Sequence, residues 1–143
     1  MLVSQILKSK GDLVFTASPG DTIAAVAALL TARRVGAMVV VEGEREVVGI
    51  VSERDIVRIV AEQGATGLEH PVSACMTREV IFALPTETVD HLLARMTDRR
   101  IRHLPVCVDH RLVGIISIGD LVKTKIAETV AEAEGLRAYI SAG

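Results

Sequence analysis

The chain has 143 residues, half of them hydrophobic, and a formal net charge of −2. That length holds one ordinary domain or two very small halves. With only Phe15, Phe82 and Tyr139 aromatic, the chain lacks the exposed rings that stack unpaired bases, and its near-neutral charge excludes a general nucleic-acid binder. Uninterrupted apolar runs such as Ala37 to Val41 fall far short of the ~20 residues a membrane helix needs. Met1 to Lys10 mixes charged and apolar residues with no cleavage site, so no secretory leader is read. Cys75 and Cys107 are isolated, which excludes a paired metal or redox motif. The expectation is a soluble, cytoplasmic protein with reduced thiols, without a nucleic-acid or membrane partner.

In chain order, Leu13 to Ala17 reads as extended. Pro19-Gly20-Asp21 then turns into a helix over Thr22 to Arg33. Ala37 to Val41 and Val47 to Val51 are Val-rich runs around a polar turn, a hairpin signature. A helix follows over Glu53 to Gln63. The same series returns as Val80 to Ala83 extended, a helix over Thr88 to Arg100, strands at Leu104 to Val108 and Leu112 to Ile116, and a helix from Ile118. With Pro19 laid on Pro85, a shift of 66, Ile23, Val26, Ala27 and Leu30 fall on Val89, Leu92, Leu93 and Met96. Both quartets have the i, i+3, i+4, i+7 spacing of one buried helical stripe. After the Glu42 to Glu46 turn the shift becomes 65, and GIVSERDIV lies on GIISIGDLV. A length change confined to a turn is what a duplicated fold shows.

The fold class expected is α+β: two β-α-β-β-α copies packed sheet to sheet about a pseudo-two-fold axis, sharing one core. Residues 1–64 form the first copy, 65–71 the linker, 72–130 the second copy and 131–143 a frayed or partner-facing helical tail. A copy of about 60 residues is too small to bury much surface alone. The packing creates clefts between the copies.

Gly-x-x-Ser-x-x-Asp occurs twice, as Gly49, Ser52, Asp55 and as Gly114, Ser117, Asp120. It sits at a strand-to-helix junction, where free backbone N–H groups and the helix dipole favour an anion. A phosphate there takes the Ser hydroxyl and helix N-terminus, and the Asp accepts from ribose hydroxyls. Ser-x-x-Asp is equally a capping arrangement, Ser at the N-cap and the acid at N3. The basic run Arg99, Arg100, Arg102, His103 has the same double reading: Arg99 and Arg100 suit a helix C-terminus, whereas Arg102 and His103 open a strand facing the cleft. Met38 and Leu104 are apolar walls for a base or plain core. No His pair has metal-ligand spacing, and no catalytic constellation is present. No catalytic residue, metal or catalytic cofactor is therefore expected.

FTASPGDT, VVGIVSERDIV, RIRHLPV and LVGIISIGDLV together resemble a tandem pair of cystathionine-β-synthase (CBS) domains, the Bateman module, over about Val3 to Glu128. The resemblance implies a stand-alone, signal-transduction type of regulatory module. Its ligands would be adenosyl compounds: AMP, ADP, ATP, S-adenosylmethionine or NAD(H). It implies phosphate contact at Ser52 and Ser117 and ribose contact at Asp55 and Asp120. Thr16, Ala37, Met38, Arg54, Arg102, His103, Leu104 and Pro105 complete the implied nucleotide site. Phe82 stands where Thr16 stands in the first copy, and Gly119 where Arg54 stands, so the two clefts are expected to differ. The expected function is a nucleotide sensor, not an enzyme, acting on an unknown protein partner and forming a homodimer. The alternative is a ligand-free dimerisation module in which both Ser residues only cap helices.

Overall fold

The computed structural model describes residues 1–11 and 14–142. Leu13, at the start of the first expected strand, and Gly143, at the end of the expected tail, lie outside the described residues. The elements are α1 (Val3–Lys10), β1 (Thr16–Ala17), α2 (Ile23–Arg33), β2 (Ala37–Glu42), β3 (Glu46–Ser52), α3 (Glu53–Gln63), α4 (Val89–Arg99), β4 (His103–Val108), β5 (Arg111–Ser117) and α5 (Ile118–Ala142). Single 3-10 turns at Gly64–Glu69 and Val72–Ala74 join the halves.

Local chemistry sets the repeated boundaries. Thr22 and Thr88 cap α2 and α4, their side chains accepting from Ala25 and His91 N–H. Both helices end on an arginine in the left-handed region, Arg34 and Arg100, each at φ 55°. The hairpins β2–β3 and β4–β5 are antiparallel in equivalent registers, Ala37 opposite Ser52 and His103 opposite Ser117. The sheet runs β1-β2-β3-β5-β4, and β3 meets β5 at the single pair Glu46 and Arg111.

Two expectations are corrected. Val80 to Ala83 is not a strand: Ala83 makes one isolated bridge to Val106, and the Phe82 carbonyl is diverted to the Arg95 guanidinium at 2.8 Å. The helical tail continues α5, which runs unbroken for 25 residues. The copies do not share one core. Each has its own helix-side cluster, around Met38 in the first and Leu104 in the second. A third cluster around Val39, Cys107 and Leu112 joins the facing sheets.

The unexpected element is α1. Its Val3, Ile6 and Leu7 pack into the second copy's cluster, while Val72, Cys75 and Met76, which precede the second copy, pack into the first. The two leading segments are thus exchanged, and equivalent backbone bonds hold them: Val3 N–H donates to the Glu87 carbonyl at 2.9 Å, and Val72 N–H to the Asp21 carbonyl at 2.7 Å. The motif glycines make the exchange possible. A Cβ at Gly49 would lie 2.6 Å from Met76 Sδ, and one at Gly114 would lie 2.5 Å from Leu7 Cδ2. Gly49 and Gly114 are therefore seats for the crossing segments.

Ile6 is 6% exposed although it stands near the chain start. Ile6→Ala is expected to cost about 2–4 kcal/mol, as an interior truncation does, read as a lower urea midpoint; an unchanged midpoint would mean that α1 frays.

Candidate functional site

A cleft of about 570 Å³ opens between the copies, within the range of small-molecule sites. Its floor is the N-terminus of α3 with the ends of β2 and β3, bringing Ser52, Arg54, Asp55, Ala37 and Ile50. The opposite wall is Arg100 to His103 with Pro105, and Thr77 with Glu79 to Ile81 closes the side. The cleft therefore presents apolar surface from Ile50, Val80, Ile81 and Ile101 beside three guanidinium groups and a helix N-terminus. An aromatic base with an attached anion matches that division.

The capping arrangement is present at both motifs. Asp55 Oδ2 accepts from Ser52 N–H at 2.9 Å and from Ser52 Oγ at 3.1 Å, while Asp55 N–H donates to Ser52 Oγ at 3.3 Å. Asp55 Oδ1 accepts from Arg58 at 3.0 Å. Asp55 is 6% exposed, and this bonding accounts for its burial: a buried charge must be paired and hydrogen-bonded. Three of about four acceptor positions on the carboxylate are used. In the second copy Asp120 Oδ2 accepts from Ser117 N–H at 2.9 Å, and Asp120 N–H donates to Ser117 Oγ at 3.1 Å.

Seven of the residues singled out from the sequence line this cleft: Ala37, Ser52, Arg54, Asp55, Arg102, His103 and Pro105. The others are elsewhere. Met38 and Leu104 point into the two helix-side cores, 1% and 0% exposed, because strand alternation turns each to the face opposite its cleft-lining neighbour. They form core and not base-contacting walls. Thr16 pairs in register with Val39 on the face where the copies meet, outside this cleft. Asp120 lines a different groove, of about 500 Å³, between α1 and α5. Ser117 caps α5 beside it. The Thr77 to Ile81 wall was not read from the sequence. Its signal was Gly49, whose missing side chain admits the preceding Met76, so that Thr77 exchanges two backbone bonds with Ile50 at 2.8 and 3.0 Å. Arg100 also lines the cleft, beyond its place at the α4 C-terminus.

Burial lowers the His103 pKa, with Lys10 adding to the effect, which favours the neutral imidazole. For Asp120, burial acts upwards, but the Lys10 ammonium and the Ser117 N–H outweigh it and hold the carboxyl below its ordinary value. A folded-state pKa below the unfolded one contributes stability above the unfolded value and loses it as pH falls through the folded value. Asp120→Asn is therefore expected to be less stable than the parent at pH 7 and to converge with it on acidification. Denaturant midpoints of both proteins between pH 7 and 2.5 check this; a constant gap would contradict it.

The family model for the CBS domain matches residues 11–62 and again 72–126. Among solved structures, the CBS-domain protein ATU1752 from Agrobacterium tumefaciens is 43% identical, with a TM-score of 0.84 over 87% of this chain and 99% of that one. The CBS domain pair of MJ0100, crystallised with methylthioadenosine and S-adenosyl-L-methionine, is 28% identical with a TM-score of 0.80, over 90% of this chain and 98% of that one. The mitochondrial CBS domain-containing protein CBSX3 of Arabidopsis thaliana is 39% identical over 83 residues, 57% of this chain and 40% of the relative. YhcV of Bacillus subtilis is 34% identical over 69 residues, 48% of this chain and 49% of the relative. The chain thus spans about half or less of the length of these two curated relatives. No helix among the described residues is long and apolar enough to cross a membrane. Two matched copies over most of the chain, with the sheet order and facing clusters described above, place it plainly: the chain belongs to the CBS-domain family, as a tandem pair.

Proposed function

We propose that the chain is a regulatory sensor that holds an adenosine-containing nucleotide in the 570 Å³ cleft and passes its occupancy to a partner protein. The observation that carries this reading is the convergence on one cleft of the α3 N-terminus, Arg54 and Arg102 from opposite copies, and an apolar wall. The phosphate meets Ser52, Arg54 and the α3 N-terminus, the cations opposite being Arg102 and, once an anion raises its proton affinity, His103. The base lies against Ala37, Ile50 and Pro105. A ribose hydroxyl uses the remaining acceptor position of Asp55, or displaces Arg58, whose side chain is 55% exposed. The MJ0100 pair, crystallised with two adenosyl ligands, supports that ligand class. AMP is the simplest candidate; ADP, ATP, NAD(H) and S-adenosylmethionine are the others.

Thermal unfolding with AMP, ADP, ATP, NAD+, NADH, S-adenosylmethionine and GMP tests this. A bound ligand at 100 times its Kd adds ~2.7 kcal/mol of stability, roughly 6–10 °C in Tm for a chain of this size. Only adenosyl compounds are expected to give the shift, and Arg102→Gln to reduce it. A flat profile would leave both motifs as helix caps.

A second reading, association with another copy of the chain, is favoured by α5. Val122, Ile126 and Val130 are 44%, 60% and 50% exposed, a row four residues apart. Leu136, Tyr139 and Ile140 are 61%, 79% and 67% exposed beyond them. An isolated helix end of this length is marginal in water, and an apolar row that the chain itself leaves open is covered by self-association about a two-fold axis. The two readings are compatible, since a homodimer can carry the sensor cleft. Light scattering is expected to give twice the chain mass, with Ile126→Glu plus Leu136→Glu giving the monomer; a monomeric parent at micromolar concentration would contradict it.

A further inference from the structure

His103 stands where the two copies meet, and charged groups from both motifs surround it. It opens β4, lines the cleft, and lies opposite Ser117, whose N–H donates to Asp120. Its ring crosses to the first copy at Gly36. A Cβ there would lie 3.4 Å from His103 Cε1, 3.7 Å from its Nε2 and 3.9 Å from Glu53 Cδ. The imidazole and the Glu53 carboxyl thus converge over the bare Gly36 backbone, beside the α3 N-terminus. Four charges act on the ring: Lys10 from α1, Glu53 from α3, Asp120 from α5 and Arg102 from the approach to β4. Arg54, Asp55, Glu79 and Arg100 are the other charged residues lining the cleft. Lys10 and Asp120 are themselves paired at 2.6 Å, so their effects on the ring oppose each other. With two cations set against two acids, burial tips the ring towards its neutral form. Such a balance is sensitive to one added charge. The equivalent position in the first copy is Ala37, which cannot titrate.

We infer that His103 is the proton-sensing element of the cleft: an anionic nucleotide seated at the α3 N-terminus draws a proton from solvent onto the ring, and the sensor therefore responds to pH as well as to nucleotide. This rests on the nucleotide reading above and adds its regulation. The step is the addition of one proton to an imidazole nitrogen, and no other bond forms or breaks. A phosphate brings negative charge without a cation of its own, which shifts the two-against-two balance towards imidazolium. The effect is reciprocal: if nucleotide raises the proton affinity of the ring, protons raise the affinity for nucleotide by the same factor. Affinity therefore rises as pH falls through the nucleotide-bound pKa of His103 and levels off below the nucleotide-free one.

The imidazole proton signals of the full chain, followed by NMR from about pH 5 to about pH 9, test this. His103→Gln identifies the His103 signal among the four histidines, and through-bond assignment to its backbone does so if that variant fails to fold. Saturating AMP is expected to raise the His103 midpoint by about one unit, a tenfold preference of AMP for the protonated chain. Saturating adenosine, which has the same base and ribose but no charge, is expected to leave the midpoint in place. Titration calorimetry carries the test to affinity. The ratio of parent to His103→Gln affinity for AMP is expected to rise several-fold between about pH 8 and about pH 6. The phosphate of AMP titrates near pH 6 itself, but that affects both proteins alike. AMP binding with the His103 midpoint unmoved, or an equal shift with adenosine, would overturn the inference and leave the nucleotide reading standing. No binding of AMP, adenosine or S-adenosylmethionine at any pH would bring down the nucleotide reading itself, and the inference with it.

Discussion

Two contacts without room for a single extra carbon govern this structure: Met76 on Gly49 and Leu7 on Gly114. Each fixes a segment from one half against the last strand of the other half's hairpin. The first contact sets the backbone pairing of Thr77 with Ile50 and so raises the side wall of the cleft. The second brings Lys10 within reach of Asp120. The difference between the two halves at their motifs follows from what comes next in each segment: a backbone that continues along the strand edge, or a helix ending in a lysine.

The helices and hairpins were legible because their signals are local. The repeated apolar quartets, the Thr caps and the Val-rich runs specify α2, α4 and both hairpins within a residue or so, and Glu53 to Gln63 is helical as read. What was not legible depends on distant partners. The eight residues of α1 are too few to announce a helix by periodicity, and their apolar positions are stabilised by a cluster formed a hundred residues further along. Val80 to Ala83 has the composition of a strand but loses a carbonyl to Arg95, a competitor that strand propensity does not weigh.

The site divided along the same line. Ser52, Asp55, Arg102 and His103 could be placed together because motif and strand order bring them to one cleft. Met38 and Leu104 were misassigned by one step of strand alternation, since a residue beside a cleft-lining position faces the opposite side. The cap and binding readings of Ser-x-x-Asp were never exclusive. The cap bonds bury and orient the carboxylate, and that fixed geometry is what a ligand would meet.

The exchange of leading segments has a consequence for how such a chain arose. A single ancestral copy whose leading segment seats on another copy would have an incomplete core until a second chain supplied the missing piece, so its folded form would be an intertwined pair. Joining the copies through the turn at Gly64–Glu69 turns that encounter into an intramolecular one, at an effective concentration that no free partner reaches. Once the copies were covalently joined, the leading segments no longer had to be identical. The first could become a lysine-ended helix and the second a strand edge, and one chain could then hold two motifs of the same origin in unequal states.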